Sequence, residues 1–220
     1  MWNEPAVAPK SVKEEMPLWN RFLSYCNTVS LELLDLISGA MQLQPEDRLV
    51  NSHQTTQTSR TNLIVFRYPK QESTESGIGH NKHTDLGTLT LLFIRQFGLQ
   101  ILSPSATDGS GSEWRYVVPK AGHAIVNVGD SLRFLSGNRL RSAVHRVYPV
   151  NGIQRETRYA IAFFLRPADA AEFHDSKGRK ITAAEWNDGK FKVFRQTHEQ
   201  QESDAILTGG MEKRSASVLA

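Results

Sequence analysis

The apolar positions near the start of the chain follow a helical pattern. Residues 1 to about 17 mix prolines with scattered charges, which is typical of an irregular arm. From Leu18 onwards, apolar residues recur at spacings of three and four, so they share one face of a helix. The face consists of Phe22, Cys26, Val29, Leu33, Ile37 and Met41. The pattern predicts a helix that ends before Pro45 and a buried, unreactive Cys26.

Between residues 60 and 167 the pattern changes to short runs rich in β-branched and aromatic residues, separated by turn residues. These runs predict strands at residues 62–68, 88–94, 99–102, 114–118, 124–128, 131–135, 143–150 and 159–166. Short strands at this density, without helical periods between them, favour an antiparallel sandwich or barrel.

A second helical pattern follows Pro167. Thr182 and Glu185 fit a capping box, and Trp186, Phe191 and Phe194 supply apolar positions after it. Beyond Thr197 the chain is polar and contains glycine, which predicts a frayed tail. We therefore expect three segments: an arm and helix over 1–59, a β core over 60–167, and a helix with a tail over 168–220.

Composition narrows the class of protein. A chain of 220 residues with 39% hydrophobic content has enough apolar material for one core with appendages. The 26 basic and 23 acidic residues leave a net charge of +3, and no basic and aromatic platform for nucleic acid is evident. The sequence contains no run of ~18 apolar residues, so it predicts no membrane span. No apolar leader segment is recognisable. The single cysteine excludes an intrachain disulfide. We expect a soluble, cytoplasmic protein.

Two histidines and one aspartate form a candidate metal site. His83 and Asp85 lie two positions apart beside a predicted strand, so their side chains point the same way. His145, in a later strand, adds a second imidazole. Two histidines and one carboxylate, with coordination positions left open, suit non-haem Fe(II). An isolated strand histidine with a purely structural role is the alternative, and a His80–His83 pair is disfavoured by its spacing of three.

Four segments carry a family resemblance. They read GHNKHTDLGTLTLL (79–92), PKAGHAIVNVGD (119–130), LRSAVHRV (140–147) and RYAIAFF (158–164). In this order they resemble the motifs of the isopenicillin N synthase-like, 2-oxoglutarate-dependent oxygenases. The amino-acid sequence of the motifs is similar to that of fungal members. The resemblance implies a mainly β fold with flanking helices around a double-stranded β-helix (jelly-roll) core. It also implies that His83, Asp85 and His145 bind iron.

The same resemblance implies a cosubstrate site. Arg158 matches the arginine that binds the distal carboxylate of 2-oxoglutarate, through the bidentate pairing that a guanidinium allows. The family serine two positions later is Ala160 here, which makes the identity of the cosubstrate less secure. Tyr68 matches a tyrosine that often contacts the cosubstrate, although Phe66 replaces the usual asparagine upstream. A plain core role for Tyr68 remains open.

The implied function is a dioxygenase that uses Fe(II), 2-oxoglutarate and O2. It would hydroxylate, desaturate or rearrange a small organic metabolite, in fungal secondary metabolism, in a pocket to which Leu89, Leu91 and Phe164 contribute. One alternative is an iron oxidase of the same fold that does not use 2-oxoglutarate. Another is a truncated, non-catalytic paralogue or partner subunit, because only about 60 residues precede the first core strand. The resemblance implies an N-terminal segment that covers the active site, and a homo- or hetero-oligomer would then supply the part of it that this chain lacks.

Overall fold

The computed structural model describes residues 10–71, 79–104 and 112–211. The chain divides into two compact units, residues 1–51 and 52–220. Residues 1–9 of the predicted arm lie outside the described residues, and the prediction is wrong for residues 10–17, most of which lie in helices. In the part of the chain that the structure describes, no helix is long and apolar enough to cross a membrane.

The first unit is built on one long helix, as the apolar pattern predicted. Its elements are α1 (Lys10–Glu14), α2 (Met16–Ala40) and the 3-10 turns Pro45–Asp47 and Leu49–His53, the last of which reaches into the second unit.

From residue 26 to residue 38, every fourth residue of α2 is buried, in a row formed by Cys26, Ser30, Leu34 and Ser38. The two serines tolerate burial because each hydroxyl donates to the carbonyl four residues earlier, at 2.7 Å. Burial of Cys26 is confirmed, and it raises the pKa of the thiol to about 11. Val29, predicted on the same face, is 44% exposed. The buried row follows the four-residue spacing and includes small polar residues that a hydrophobic pattern passes over.

Two four-stranded antiparallel sheets form the core of the second unit. Their orders are β1-β8-β3-β6 and β2-β7-β4-β5. The strands are β1 (Asn62–Tyr68), β2 (His80–His83), β3 (Leu89–Ile94), β4 (Leu99–Pro104), β5 (Ser112–Tyr116), β6 (Ile125–Val128), β7 (His145–Val147) and β8 (Arg158–Leu165). First pairs with eighth, second with seventh, third with sixth and fourth with fifth. This is the order of one long hairpin wound into a jelly roll, so the predicted fold is confirmed.

One predicted strand is wrong. Residues 131–135 lie in a helix, α3 (Asp130–Leu135), which begins after an extended Gly129. A short apolar run does not distinguish strand from helix by period alone, and here the glycine and aspartate mark a helix start. The short strands β2, β9 (Glu172–His174) and β10 (Lys180–Thr182) were not predicted.

The C-terminal segment is more ordered than its polar sequence suggests. The predicted capping box between Thr182 and Glu185 is present and begins α4 (Ala183–Phe194). A second capping box starts α5 (His198–Ser203), and Leu207 beyond it is only 1% exposed. The expectation of a frayed tail is therefore wrong as far as residue 211. Residues 212–220 lie outside the described part.

Candidate metal centre

The two candidate histidine ligands lie opposite each other on neighbouring strands. His83 ends β2, and its cross-strand partner in the antiparallel pair is His145, the first residue of β7. Directly opposed residues project from the same face of a sheet. The imidazole centroids are accordingly 4.3 Å apart.

Asp85 completes a compact set of donor atoms. Its Oδ1 lies 3.8 Å from His83 Nε2 and 3.7 Å from His145 Nε2. One donor atom from each residue falls within 4.8 Å of the other two. Two imidazoles and one carboxylate in this arrangement leave part of a coordination sphere open, as non-haem Fe(II) oxygenation requires.

Backbone carbonyls orient both imidazoles. His83 Nδ1 donates to the carbonyl of Asn81 at 2.7 Å, and His145 Nδ1 donates to the carbonyl of Ala143 at 3.0 Å. A proton held on Nδ1 leaves the Nε2 lone pair available to a metal. The same contact, to the residue two positions earlier, fixes the tautomer of each ring.

Two side chains orient the carboxylate of Asp85. Thr90 Oγ1 donates to Asp85 Oδ2 at 2.6 Å, and Asn127 Nδ2 donates to the same oxygen at 2.8 Å. The two donors are cross-strand partners on β3 and β6. With Oδ2 held in this way, Oδ1 faces the two imidazoles.

The protonation states suit a cation. Burial lowers the pKa of His83 well below its usual value, and repulsion from His145 and His80 adds to the effect. Burial opposes ionisation of Asp85, but the charges of His145 and His83 and the two hydrogen bonds hold its pKa at about 2. At neutral pH the site therefore offers a carboxylate and a neutral His83 imidazole, which are the forms that bind metal.

The three residues line a cavity of about 80 Å³. Arg158 also lines this cavity and is only 1% exposed. Its Nε and Nη1 atoms are buried and have no hydrogen-bond partner among the described residues. The ring of Tyr68 covers the guanidinium, with 4.9 Å between its centroid and Arg158 Cζ. A buried cation with unpaired N–H groups is a site for an anion.

The surroundings of Arg158 are otherwise apolar. Ile94, Leu99 and Ala160 form a buried cluster beside it, against which Phe66 and Tyr68 pack. Arg158 and Ala160 lie two positions apart on β8, so both face the cavity. Ala160 brings a methyl group where a hydroxyl would offer another donor.

Known proteins share both the motifs and the fold. The profile of the 2OG-Fe(II) oxygenase superfamily matches residues 45–167. The chain belongs to the 2OG-Fe(II) oxygenase superfamily.

Three similar proteins come from fungi. Oxidoreductase vrtI of Penicillium aethiopicum is 58% identical over 161 residues, which are 73% of this chain and 38% of that protein. The 2-oxoglutarate-dependent dioxygenase frbH of a Dothideomycetidae species is 47% identical over 94% of this chain and 63% of its own. The 2-oxoglutarate-dependent dioxygenase iboH of Amanita muscaria is 45% identical over 93% and 98%. The chain thus spans less than two thirds of the first two relatives and nearly all of the third.

A solved structure of the same fold is that of a full-length Neurospora crassa protein in complex with alpha-KG. It superposes with a TM-score of 0.69 at 23% identity, covering 86% of this chain and 60% of that one. At this identity the likeness concerns the fold, and it agrees with the jelly-roll order of the strands.

The structure gathers the residues that the sequence singled out. His83, Asp85, His145, Arg158 and Tyr68 all line the one cavity. His80 lines it too, with its ring 4.9 Å from that of His83, but lies outside the trio of converging donor atoms.

The predicted pocket lining is right at one position and wrong at two. Phe164 faces the cavity, whereas Leu89 and Leu91 are buried in the core. Their neighbours Thr90 and Leu92 face the cavity instead, because alternate residues of a strand point to opposite sides.

Sequence reasoning missed the residues that hold Asp85. Neither Asn127 nor Thr90 was singled out as a candidate site residue from the sequence. The available signal was the polar side chain on the cavity face of each strand, which only the pairing of β3 with β6 makes visible.

Proposed function

We propose that this chain is an Fe(II)- and 2-oxoglutarate-dependent dioxygenase that oxidises a small organic metabolite. One observation carries the proposal. One cavity is lined by a two-histidine, one-carboxylate donor set and by a buried arginine with unpaired N–H groups. A metal ion and an anionic cosubstrate are the partners that these two features require.

His83, Asp85 and His145 would hold the iron. Their donor set matches the ligands that non-haem Fe(II) takes in oxygenases. Both rings are oriented by backbone carbonyls, so Nε2 is ready to bind without rearrangement. Bound iron, together with O2 and 2-oxoglutarate, supplies the oxidation of a C–H bond while 2-oxoglutarate loses CO2 and becomes succinate.

Arg158 would hold the distal carboxylate of 2-oxoglutarate. A guanidinium can donate two parallel N–H bonds to one carboxylate, and the apolar surroundings strengthen that pairing. Tyr68 would fix the guanidinium plane from the side of its ring. The tight wall around Arg158 would also exclude water from the cosubstrate.

Much of the cavity is lined by apolar side chains. Leu92, Ile101, Ile125 and Phe164 contribute to its wall, and none of these side chains would recognise a charged group. A small, largely apolar molecule fits this lining. The fungal origin of the relatives supports a role in fungal secondary metabolism. The single, buried cysteine supports a cytoplasmic location.

Ala160 favours a second candidate, an iron oxidase of the same fold that does not use 2-oxoglutarate. Alanine offers no hydroxyl, so a carboxylate that pairs with Arg158 would lack one neutral hydrogen-bond donor. A different cosubstrate, or none, would make the same use of the metal.

An anaerobic titration separates these functions. Fe(II) is added first and 2-oxoglutarate second, and the metal-to-ligand charge-transfer absorption is followed, with His83→Ala as the control variant. We expect a band in the wild type and none in His83→Ala. Iron binding without the band would favour the 2-oxoglutarate-independent oxidase. Absence of iron binding would favour a non-catalytic protein.

A further inference from the structure

A completely buried ion pair lies behind the metal ligands. Lys190 Nζ in α4 is 2.6 Å from Asp130 Oδ2 in α3, and both side chains have no exposed surface. Burial lowers the pKa of Lys190, and attraction to Asp130 and then to Asp85 opposes that shift. Lys190 lies outside residues 45–167, the part of the chain that the superfamily profile matches.

This ion pair contacts the first metal-binding segment directly. Lys190 Nζ donates to the carbonyl of Thr84 at 2.6 Å and to its hydroxyl at 2.8 Å. The Thr84 hydroxyl in turn donates to Asp130 Oδ2 at 2.9 Å. Thr84 lies between His83 and Asp85 in sequence. Its side chain points to the opposite side of the extended backbone from theirs, away from the metal site.

The same ion pair reaches the second metal-binding segment. Ser142 lies three residues before His145 in the sequence, and its Oγ donates to Asp130 Oδ1 at 2.7 Å. In addition, the Asp130 backbone N–H donates to the carbonyl of Asp85 at 2.7 Å. The four residues Thr84, Asp130, Ser142 and Lys190, here called the Lys190 brace, therefore link all three ligands from behind.

Stability alone gives a weak reason for this arrangement. Taking two charges out of water is unfavourable, and apolar residues of similar volume often stabilise a fold equally well. A buried charge pair with every contact satisfied does, however, specify one geometry. The geometry specified here is that of the backbone between two metal ligands.

We propose that Lys190 is a positioning residue for the metal centre, holding the Thr84 carbonyl so that His83 and Asp85 present their donor atoms together with His145. The inference rests on the proposed function, since it assumes that the three residues bind metal. Partners that orient ligands from outside the ligand set typically contribute about 10- to 100-fold to metal affinity. We assign Lys190 an effect of that size.

The test measures Co(II) affinity and the Co(II) d–d spectrum of the full chain, with thermal stability recorded in parallel. Lys190→Met should bind Co(II) about 10- to 100-fold more weakly and show an altered spectrum. Val193→Ala, which trims another buried residue of α4, is the matched control. It should lose stability but keep the wild-type affinity and spectrum.

A double variant separates positioning from general stability. Lys190→Met combined with Asp130→Asn removes both charges of the Lys190–Asp130 pair. Arg133 Nη2, which lies 3.9 Å from Asp130 Oδ1, then loses its carboxylate, so at most part of the stability that the single variant loses should return. The Co(II) affinity of the double variant should stay low, because the Thr84 carbonyl still lacks its donor. Recovery of affinity in step with stability would overturn the proposal, as would wild-type affinity in Lys190→Met.

Thr84→Val keeps the proposal testable if Lys190→Met fails to fold. Valine preserves the shape of threonine and its carbonyl but removes the hydroxyl that bonds to Lys190, Asp130 and the Leu207 carbonyl. Lys190 Nζ then holds Thr84 by one contact in place of two. Weaker Co(II) binding in this variant supports the brace, and unchanged binding contradicts it. If the wild type binds no Co(II), the metal centre itself is refuted; if wild type and Lys190→Met bind equally, only the brace is.

Discussion

Two parts of the cavity lining, here called the metal end (His83, Asp85 and His145) and the Arg158 end, differ in how their polar groups are held. At the metal end, protein groups hold every ligand in place: carbonyls hold the imidazoles of His83 and His145, and Thr90 and Asn127 hold the carboxylate of Asp85. At the other end, Arg158 lies among apolar side chains, and two of its nitrogen atoms have no hydrogen-bond partner among the described residues.

This difference separates a preorganised site from one that its ligand completes. Oriented lone pairs let a metal bind without rearranging the ligands. An unpaired buried donor, in contrast, leaves the protein with a desolvation penalty of about 1–3 kcal/mol, more for a charged group. A carboxylate that pairs with Arg158 removes that penalty, so the binding of the cosubstrate should stabilise the protein strongly.

Arg158→Met should weaken the binding of 2-oxoglutarate and leave the binding of metal unchanged. Losing two hydrogen bonds to a charged group removes at least ~3 kcal/mol of binding, so we expect 2-oxoglutarate affinity to fall by roughly 100-fold. Metal affinity should not change, because Arg158 is not among the groups that hold the ligands. Calorimetric titrations with metal, and then with 2-oxoglutarate, measure both.

The same variant tests the unpaired guanidinium. Methionine fills much of the same apolar space and carries no unsatisfied donor, so the ligand-free protein should not lose thermal stability. A clear fall in melting temperature without ligand would show that the guanidinium stabilises the ligand-free fold through its contact with Tyr68. A parallel fall in metal affinity would refute the separation of the two ends.

Asn127→Ala should weaken the metal end selectively. Asp85 Oδ2 loses one of its two donors, and partners of this kind contribute about 10- to 100-fold to metal affinity. With metal at saturating concentration, the affinity for 2-oxoglutarate should stay at the wild-type value, which provides an internal control. Equal losses in both affinities would indicate a general collapse of the cavity.

The sequence predicted the metal ligands and Arg158 but not the side chains that hold Asp85. The ligands and Arg158 belong to compact motifs, so their chemistry was recognisable from adjacent residues. Asn127 and Thr90 meet only through the pairing of β3 with β6, and a strand's register decides which of its residues face the site. For the same reason Leu89 and Leu91 were expected in the pocket in place of Thr90 and Leu92.

The groups behind the ligands were the hardest to predict. Lys190 contacts Thr84 across 106 positions of sequence, and nothing near Lys190 distinguishes it from a surface lysine of an amphipathic helix. The segment after Thr197 was expected to fray because its apolar residues are few. Tertiary contacts give it order instead: the Leu207 carbonyl accepts the Thr84 N–H at 2.8 Å.

Ala160→Ser should add a hydrogen-bond donor at the Arg158 end and strengthen 2-oxoglutarate binding. We expect its effect to be the smallest of the three variants. The new hydroxyl would face the cavity from the same side of β8 as Arg158, and one hydrogen bond to a charged oxygen contributes ~1.5 kcal/mol at the lower end of its range. We therefore expect 2-oxoglutarate to bind about tenfold more tightly, with unchanged metal affinity.

Ala162→Ser, two positions further along the same cavity-facing side of β8, is the matched control and should give little gain. Equal gains in both variants would mean that a hydroxyl anywhere in the cavity suffices, whereas no gain in Ala160→Ser would mean that the carboxylate does not lie beside Arg158.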